Sequence, residues 1–239
     1  MSGSSRPSKR IIPIILVAAS LATLGVAGEL KADPPSTPQP PALARLGARP
    51  SAEKLTPVER GRLLAGEVVS HPVKFEHDGG VYVGGVAQQL VRAQPEQVMA
   101  ALENVQNLPR ALPKTRSARL LSTSSRSARV ELVQGNRFMQ ARYSVHLARQ
   151  PGNGEIRFWL DRTRPHDIRD VWGFFRVQKF DPNRSLVSVG VSLDVGSGLV
   201  RMLFEDKIVR VILSTPRCIR DFVEPRARMA DRLRRPEPS

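Results

Sequence analysis

The stretch LVRMLFEDKIVRVILSTPRCIRDFV, residues 199–223, decides the fold. Its large apolar residues recur at every third or fourth position, and charged residues occupy the positions between them. This spacing predicts an amphipathic helix with one wide apolar stripe, with Ser197 as its N-cap. Pro216 has no backbone N–H and crowds the carbonyl of Ile212, so we expect a kink there. A helix this apolar needs a large apolar surface to pack against.

The preceding residues supply that surface, because their hydrophobicity alternates with the period of β-strands from Val81 onward. The first strand, 81–93, leads into a short helix, 95–104. Six more strand-like segments follow: 116–123, 128–134, 138–149, 155–162, 168–180 and 185–195. Their short, turn-like separators predict antiparallel pairing, since parallel strands need long crossovers. The fold class is therefore α+β, with about seven antiparallel strands and a long C-terminal helix.

Alternation also separates the two faces of the sheet. In the last strand, for example, Val187, Val189 and Val191 share one face, and Ser188 and Ser192 share the other. One apolar face is expected when only one side of an antiparallel sheet is covered, here by the C-terminal helix. The residues that we expect to line the space between them are Tyr143, Val145, Phe158, Phe175, Val189, Val191, Phe204, Ile208 and Ile212. Both a tightly packed core and a ligand cavity agree with this pattern.

The N-terminal segment, residues 1–32, has the pattern of a secretory signal. Three cations, Arg6, Lys9 and Arg10, precede an uncharged apolar run, 11–28, which ends in the small residues of a cleavage site before Glu29, with a second option after Ala32. The run is also long enough to remain as a signal anchor, so both alternatives stay open. We expect an exported protein, periplasmic or secreted, or membrane-anchored if the signal is not cleaved. Residues 33–54 are rich in proline and predict an extended linker.

Charge and composition restrict the partners. The formal net charge of +15 favours an acidic partner, such as nucleic acid or anionic lipid. No basic run is interleaved with aromatic residues, so we predict no nucleic-acid binding and keep an anionic membrane surface as an alternative. The single cysteine, Cys218, excludes an internal disulfide and a cysteine-based zinc site. His71 and His77 lie near Glu76 and Asp78 but lack further ligands, so we predict no metal and no cofactor.

The densest polar cluster spans a turn at residues 161–170. His166 lies beside Asp167 there, and this pair is the strongest candidate for acid–base chemistry. A solvated turn whose charges pair among themselves explains the cluster better, and we favour that interpretation. By strand parity, His146 and Glu131 point away from the apolar face.

Five short patterns resemble the START-like superfamily, also called the polyketide cyclase/dehydrase or SRPBCC group, with the coenzyme Q-binding branch closest. They are QPEQV at 94–98, LPRALP at 108–113, YSV at 143–145, DVWGFFRV at 170–177 and LVSV at 186–189. The resemblance covers residues 81–224 and implies a helix-grip fold, in which a curved antiparallel sheet wraps around the long C-terminal helix and leaves a cavity. Residues 55–80 then form an extension, a capped helix followed by a loop, and residues 225–239 a basic, disordered tail.

Members of this superfamily bind lipids, sterols, quinones and polyketides, and some are enzymes. The resemblance implies a hydrophobic small-molecule ligand. With the signal-like N-terminal segment and without a convincing acid–base pair, we expect an exported protein that binds such a ligand without catalysis. One alternative is a cyclase or dehydratase that uses the same cavity, with Tyr143, His166 or Asp167 as acids and bases. Another is a membrane-surface module that the N-terminal segment and the basic surface hold on anionic lipid.

Overall fold

The segments of alternating hydrophobicity form one antiparallel sheet of eight strands in the computed structural model, which describes residues 55–150, 152, 154–196 and 199–234. The strands are β1 Val69–His77, β2 Gly80–Val91, β3 Thr115–Thr123, β4 Ser127–Gly135, β5 Gln140–Gln150, β6 Glu155–Leu160, β7 Asp170–Asp181 and β8 Arg184–Asp194. Their order across the sheet is β1-β2-β8-β7-β6-β5-β4-β3. The predicted signal segment, the linker and the Ser197 cap lie outside the described residues.

The helices are α1 Pro57–Leu64, α2 Pro95–Glu103, α3 Leu108–Ala111, α4 Leu199–Leu213 and α5 Thr215–Arg234, with a 3₁₀ turn at Val105–Asn107. The main core lies between the inner face of the sheet and α2, α3 and α5. A smaller core joins α1 to the outer face, where Leu63 packs with Val69, Leu90 and Leu186. This arrangement confirms the predicted α+β class, with a sheet gripping C-terminal helices. None of the described helices has the length and apolar character needed to cross a membrane.

The predicted interruption of the C-terminal helix is confirmed, since α4 ends at Leu213 and α5 begins at Thr215. Pro216 cannot donate to the Ile212 carbonyl, which accepts a hydrogen bond from the Thr215 hydroxyl instead, at 2.6 Å. The Ser214 hydroxyl donates to the Val211 carbonyl at 2.7 Å in the same way. Side-chain hydroxyls thus satisfy the carbonyls that the break exposes.

The prediction of a loop at residues 70–80 is wrong for residues 70–77, which belong to the edge strand β1. Val69, Val73 and Phe75 alternate with polar residues, and β1 pairs with β2 alone. Pro72 is tolerated because an edge strand has unpaired backbone positions. The sheet therefore has one strand more than the seven expected.

The prediction of a disordered C-terminal tail is wrong for residues 225–234, which continue α5. Pro225 lies inside this helix, and the residue four positions earlier, Asp221, is exposed, so water can bond the carbonyl that loses its N–H partner. Arg226 donates to the Phe222 carbonyl at 2.6 Å. Ala227 is buried in the main core and draws this turn onto the domain.

A helix cap and a strand bend shape the first elements of the domain. Thr56 and Glu59 form a capping box at the start of α1, with the Glu59 N–H donating to the Thr56 hydroxyl at 3.2 Å. Gly84 and Gly85 bend β2 at φ of 149° and 142°. A Cβ at Gly84 would lie 2.1 Å from the Val191 carbonyl oxygen, so no other residue fits this close approach of strands.

Candidate functional site: an apolar cavity

A cavity of about 500 Å³ lies between the inner face of the sheet and α4. All nine residues predicted to line such a space are on its wall: Tyr143, Val145, Phe158, Phe175, Val189, Val191, Phe204, Ile208 and Ile212. The packed-core alternative is therefore wrong at this position, because the side chains leave room between sheet and helix. That these nine residues bind a ligand stays a prediction.

Strand pairing places two phenylalanine rings on the wall. Phe158 on β6 lies directly opposite Gly173 on β7, and a Cβ at Gly173 would come within 2.2 Å of the Phe158 ring. The missing side chain lets the ring lie against the sheet, where its centroid is 5.2 Å from that of Phe175. Both rings are largely buried by the surrounding strands. They give the wall a rigid apolar surface.

Tyr143 brings a hydroxyl group to this apolar wall. Its side chain is 7% exposed, and burial raises the pKa of the hydroxyl above its ordinary value of 10.0. The hydroxyl donates to the Gln134 side-chain carbonyl, and the Gln134 amide donates in turn to the Thr115 hydroxyl at 2.8 Å. Tyr143 is therefore a protonated donor at neutral pH, and its partner is already within the protein.

Exposed residues, most of them polar or charged, form one rim of the cavity. The exposed lining residues are Lys114, Asn136, Met139, Gln140, Asp167 and Lys207. The Asp167 carboxylate accepts a hydrogen bond from the Arg142 backbone N–H at 2.8 Å. The two lysines were not predicted, because Lys114 lies in a connection and Lys207 at the border of the α4 stripe, beside Ile208. Proximity to the stripe was the one sequence signal for Lys207.

The structure separates the two residues of the predicted acid–base pair. Asp167 lines the cavity, whereas His166 is exposed and does not line it. The Nδ1 atom of His166 lies 2.7 Å from the Ile168 carbonyl oxygen. The two side chains therefore do not act on a common point of the cavity in this arrangement, and catalysis by either stays a prediction.

The predicted solvated turn at 161–170 is wrong for its two terminal aspartates, which are 1% and 2% exposed. Asp170 accepts hydrogen bonds from the Tyr82 hydroxyl at 2.7 Å and from Arg162 at 2.8 Å. Asp161 accepts two hydrogen bonds from Thr163. Burial disfavours the charged form of Asp161, but these bonds hold its pKa below its ordinary value. Both carboxylates serve structure on the outer side of the sheet.

The two histidines of the N-terminal extension have acidic neighbours. His71 Nε2 lies 2.9 Å from a Glu59 oxygen, and His77 Nε2 lies 3.3 Å from an Asp78 oxygen. In the part of the chain that the structure describes, no three His, Cys, Asp or Glu side chains are grouped to hold a metal ion.

With the fold and cavity established, comparison with known proteins identifies the family. The family model described as polyketide cyclase/dehydrase and lipid transport matches residues 91–213, just over half of the chain. The chain belongs to this family. Family and fold together indicate a START-like protein that binds a hydrophobic ligand, or a cyclase. A comparison with curated protein sequences finds no match.

Two solved structures share the fold of this polyketide cyclase/dehydrase family member. A protein from Thermus thermophilus is 14% identical with a TM-score of 0.52, and the match covers 61% of this chain and 97% of that one. A STAR-related lipid transfer protein from Xanthomonas axonopodis is 13% identical with a TM-score of 0.51, covering 64% of this chain and 98% of the other. At such low identity the likeness shows the fold alone.

Proposed function

We propose that this protein is exported and binds one hydrophobic small molecule, a lipid, quinone or polyketide-like compound, without catalysing a reaction. The observation that carries the proposal is the apolar cavity of about 500 Å³ between the sheet and α4. Its volume falls in the range of roughly 300–1,000 Å³ typical of small-molecule sites. The lipid transfer function named for the Xanthomonas axonopodis relative agrees with this proposal.

The chemistry of the wall favours binding over catalysis. Each 100 Å² of apolar ligand surface that leaves water contributes about 2.5 kcal/mol, so the phenylalanine and valine side chains supply affinity without any reactive group. The Tyr143 hydroxyl already donates to Gln134, and burial raises its pKa, so the hydroxyl stays protonated at neutral pH and is not available as a general base. A cyclase or dehydratase would have to use Tyr143 and Asp167, the ionisable groups that accompany the lysines on the wall.

Native mass spectrometry of the full chain, purified without detergent, tests the binding proposal. We expect one small molecule per chain, to be identified after organic extraction. Ile208→Trp should abolish this mass increment, because Ile208 lines the cavity from α4 and the indole would fill it. Asp206→Trp is the matched control, since Asp206 is exposed on the same helix and does not line the cavity. A chain without bound molecules that also fails to take up the neutral dye Nile red would contradict the proposal.

A second candidate function is docking on an anionic membrane surface, which exposed residues of the β4–β5 hairpin support. Phe138 is 82% exposed and Met139 39% exposed, and Met139 belongs to the cavity rim. The Arg137 guanidinium lies 4.5 Å from the centroid of the Phe138 ring. An apolar tip with an adjacent arginine fits the interface of an anionic bilayer, and this docking would bring the cavity rim to the membrane.

Sedimentation with lipid vesicles tests this second candidate. We expect the full chain to bind phosphatidylglycerol vesicles better than phosphatidylcholine vesicles, and less well as salt is added. Phe138→Ser should weaken binding, whereas Val58→Ser should not, since Val58 is a comparably exposed apolar residue on α1. Equal binding to both vesicle types, unchanged by salt, would argue against an electrostatic membrane contact.

A further inference from the structure

Two lysine side chains at the cavity rim differ from the other polar groups of the wall. The Tyr143 hydroxyl and the Gln134 amide are hydrogen-bonded within the protein. In contrast, no hydrogen bond or ion pair among the described residues involves the ammonium group of Lys114 or Lys207. Elsewhere on the surface, Lys74 does have a partner and lies 2.6 Å from Glu205. The cavity therefore has two lysines on its wall that no side chain in the described part of the chain neutralises.

The backbone of Lys114 gives independent evidence that its position matters. Lys114 follows Pro113 in a tight turn and has a φ of 54°, a conformation that glycine adopts freely and lysine only at a cost in stability. The Gly135 N–H donates to the Lys114 carbonyl at 2.8 Å and fixes this turn against the end of β4, beside the cavity. A lysine in a backbone conformation that favours glycine points to a role for its side chain.

The rim carries more positive than negative charge. Asp167 supplies a carboxylate to the cavity wall, and one of its oxygens accepts from the Arg142 backbone N–H at 2.8 Å. Lys114 and Lys207 line the cavity together with this one carboxylate, so the charged residues of the described lining sum to a net positive charge. Deeper in the cavity the wall is formed by aliphatic and aromatic residues such as Val145, Phe158 and Val189.

We infer that the bound molecule is an amphipath with an acidic group, a carboxylate or a phosphate. Its apolar part occupies the cavity, and its acidic group binds Lys114 and Lys207 at the rim. This inference rests on the proposed binding function and names the ligand class. An anionic group that stays at the rim keeps part of its hydration, and a charge-assisted hydrogen bond to a lysine strengthens its binding. Such bonds correspond to a preference of roughly ten- to a hundredfold over a neutral analogue.

Displacement of bound Nile red from the full chain by matched single-chain compounds tests the inference. The probes are dodecanoic acid and dodecyl phosphate, and their neutral counterparts methyl dodecanoate and dodecanol. We expect the two acidic compounds to displace the dye at concentrations roughly tenfold lower than the neutral ones. The preference should decrease as salt is added, because the rim is exposed to solvent.

Variants of the two lysines identify the groups responsible. Lys114→Gln and Lys207→Gln should each reduce the preference for acidic compounds, and the double variant should remove it. Lys179→Gln is the matched control, because Lys179 is exposed on β7 and does not line the cavity. Lys114→Gly should raise the melting temperature by a few degrees, about what relief of a positive φ gives, while it lowers the preference. A more stable variant that loses selectivity cannot owe the loss to unfolding.

Each result has a distinct meaning. Displacement by the carboxylate alone or by the phosphate alone supports the inference and identifies the acidic group. Equal displacement by acidic and neutral compounds overturns the inference and leaves the binding proposal in place, as does a preference that persists in the double variant. Failure of the chain to take up Nile red, together with the absence of any bound molecule in native mass spectrometry, overturns both.

Discussion

At the scale of single residues, the outer face of the sheet contains a buried ion pair that should dominate the response to mutation. Glu155 on β6 lies opposite Arg176 on β7, and the two side chains are buried. Glu155 accepts a hydrogen bond from Arg176 Nε at 2.7 Å and another from Arg157 Nε at 2.7 Å. Burial opposes ionisation of Glu155, but the two arginines outweigh it and hold its pKa below its ordinary value of 4.5.

We expect Glu155→Ala to destabilise the protein by about 3–5 kcal/mol, because it leaves the Arg176 charge buried without its carboxylate. Glu131→Ala is the control, since Glu131 pairs with Arg119, an arginine whose side chain is 65% exposed. That exposed pair should contribute less than about 1 kcal/mol. Urea unfolding measures both free energies. Equal losses in the two variants would show that the buried pair has no special weight.

The same carboxylate predicts a pH dependence. Because the pKa of Glu155 is lower in the folded than in the unfolded chain, its contribution to stability is complete above the unfolded value, near 4.5. The contribution is lost as the pH falls below 4.5 and through the folded pKa. The free energy of unfolding of the wild type, measured with urea, should therefore fall over this acidic range. Glu155→Gln should lack that part of the pH dependence. Parallel pH profiles for the two proteins would contradict this assignment.

How far individual site residues can be predicted depends on whether a periodic pattern fixes their direction. Tyr143, Val145 and Val189 lie in strands, where alternation fixes which face each side chain takes, and all three line the cavity as predicted. Lys114 lies in a turn and Lys207 at the border of the apolar stripe of α4. At such positions hydrophobic periodicity does not predict whether a side chain lines the cavity. Only the folded arrangement brings the two lysines to one rim.

At the scale of elements, the break between α4 and α5 divides the C-terminal helical segment into two helices with different roles. Ile208 and Ile212 on α4 are partly exposed and line the cavity. Ile219 and Phe222 on α5 are buried in the main core. The break thus separates the helix that covers the ligand space from the helix that anchors the domain.

Thr215 and Pro216 should be energetically coupled at this break. We expect Thr215→Val to cost roughly 1–3 kcal/mol, because the Ile212 carbonyl loses the hydroxyl that bonds it at 2.6 Å. In a Pro216→Ala background the same change should cost less, since residue 216 then has an N–H that can reach the Ile212 carbonyl. A double-mutant cycle by urea unfolding measures the coupling. Additive effects would show that the hydroxyl does not replace the missing donor.

Element boundaries were predictable wherever the pattern was long. The seven strands from residue 80 to residue 194 match the alternation closely, because each carries several cross-strand neighbours that enforce one register. β1 was missed because Pro72 and two histidines interrupt its alternation, and only an edge position tolerates that proline. The end of α5 was missed because Pro225 reads as a stop, whereas an exposed helix face tolerates it.

At the scale of the whole molecule, the N-terminal segment predicts export. We expect the mature chain to begin at Glu29 or Asp33 if a signal peptidase removes the signal, because small residues precede both positions. Expression of the full chain in a bacterial host, followed by intact-mass measurement of the periplasmic fraction, checks this expectation. Recovery of the full-length chain in the membrane fraction would instead favour a retained anchor, and recovery in the cytoplasm would contradict export.

The N-terminal extension should matter mainly for the sheet, and an ion pair joins its Lys74 to Glu205 on α4. Leu63 on α1 and Val69 on β1 are each 1% exposed and cover Leu90 and Leu186 on the outer face. Deletion of residues 57–77 would expose these leucines and turn β2 into an edge strand. We expect a loss of roughly 3–6 kcal/mol from the two buried side chains alone, together with self-association through the new edge.

Thermal unfolding and sedimentation measure these two effects, with Val58→Ala, an exposed residue of the deleted helix, as the control. Residues 55–80 contribute nothing to the cavity wall, so whatever fraction of the shortened chain stays folded should bind Nile red as the full chain does. Loss of dye binding in monomeric, folded protein would mean that the contact of β1 with α4, through Lys74 and Glu205, helps to hold α4 over the cavity. Unchanged binding would show that the extension serves as a cover for the outer face and that the ligand site depends on the remaining strands and α4.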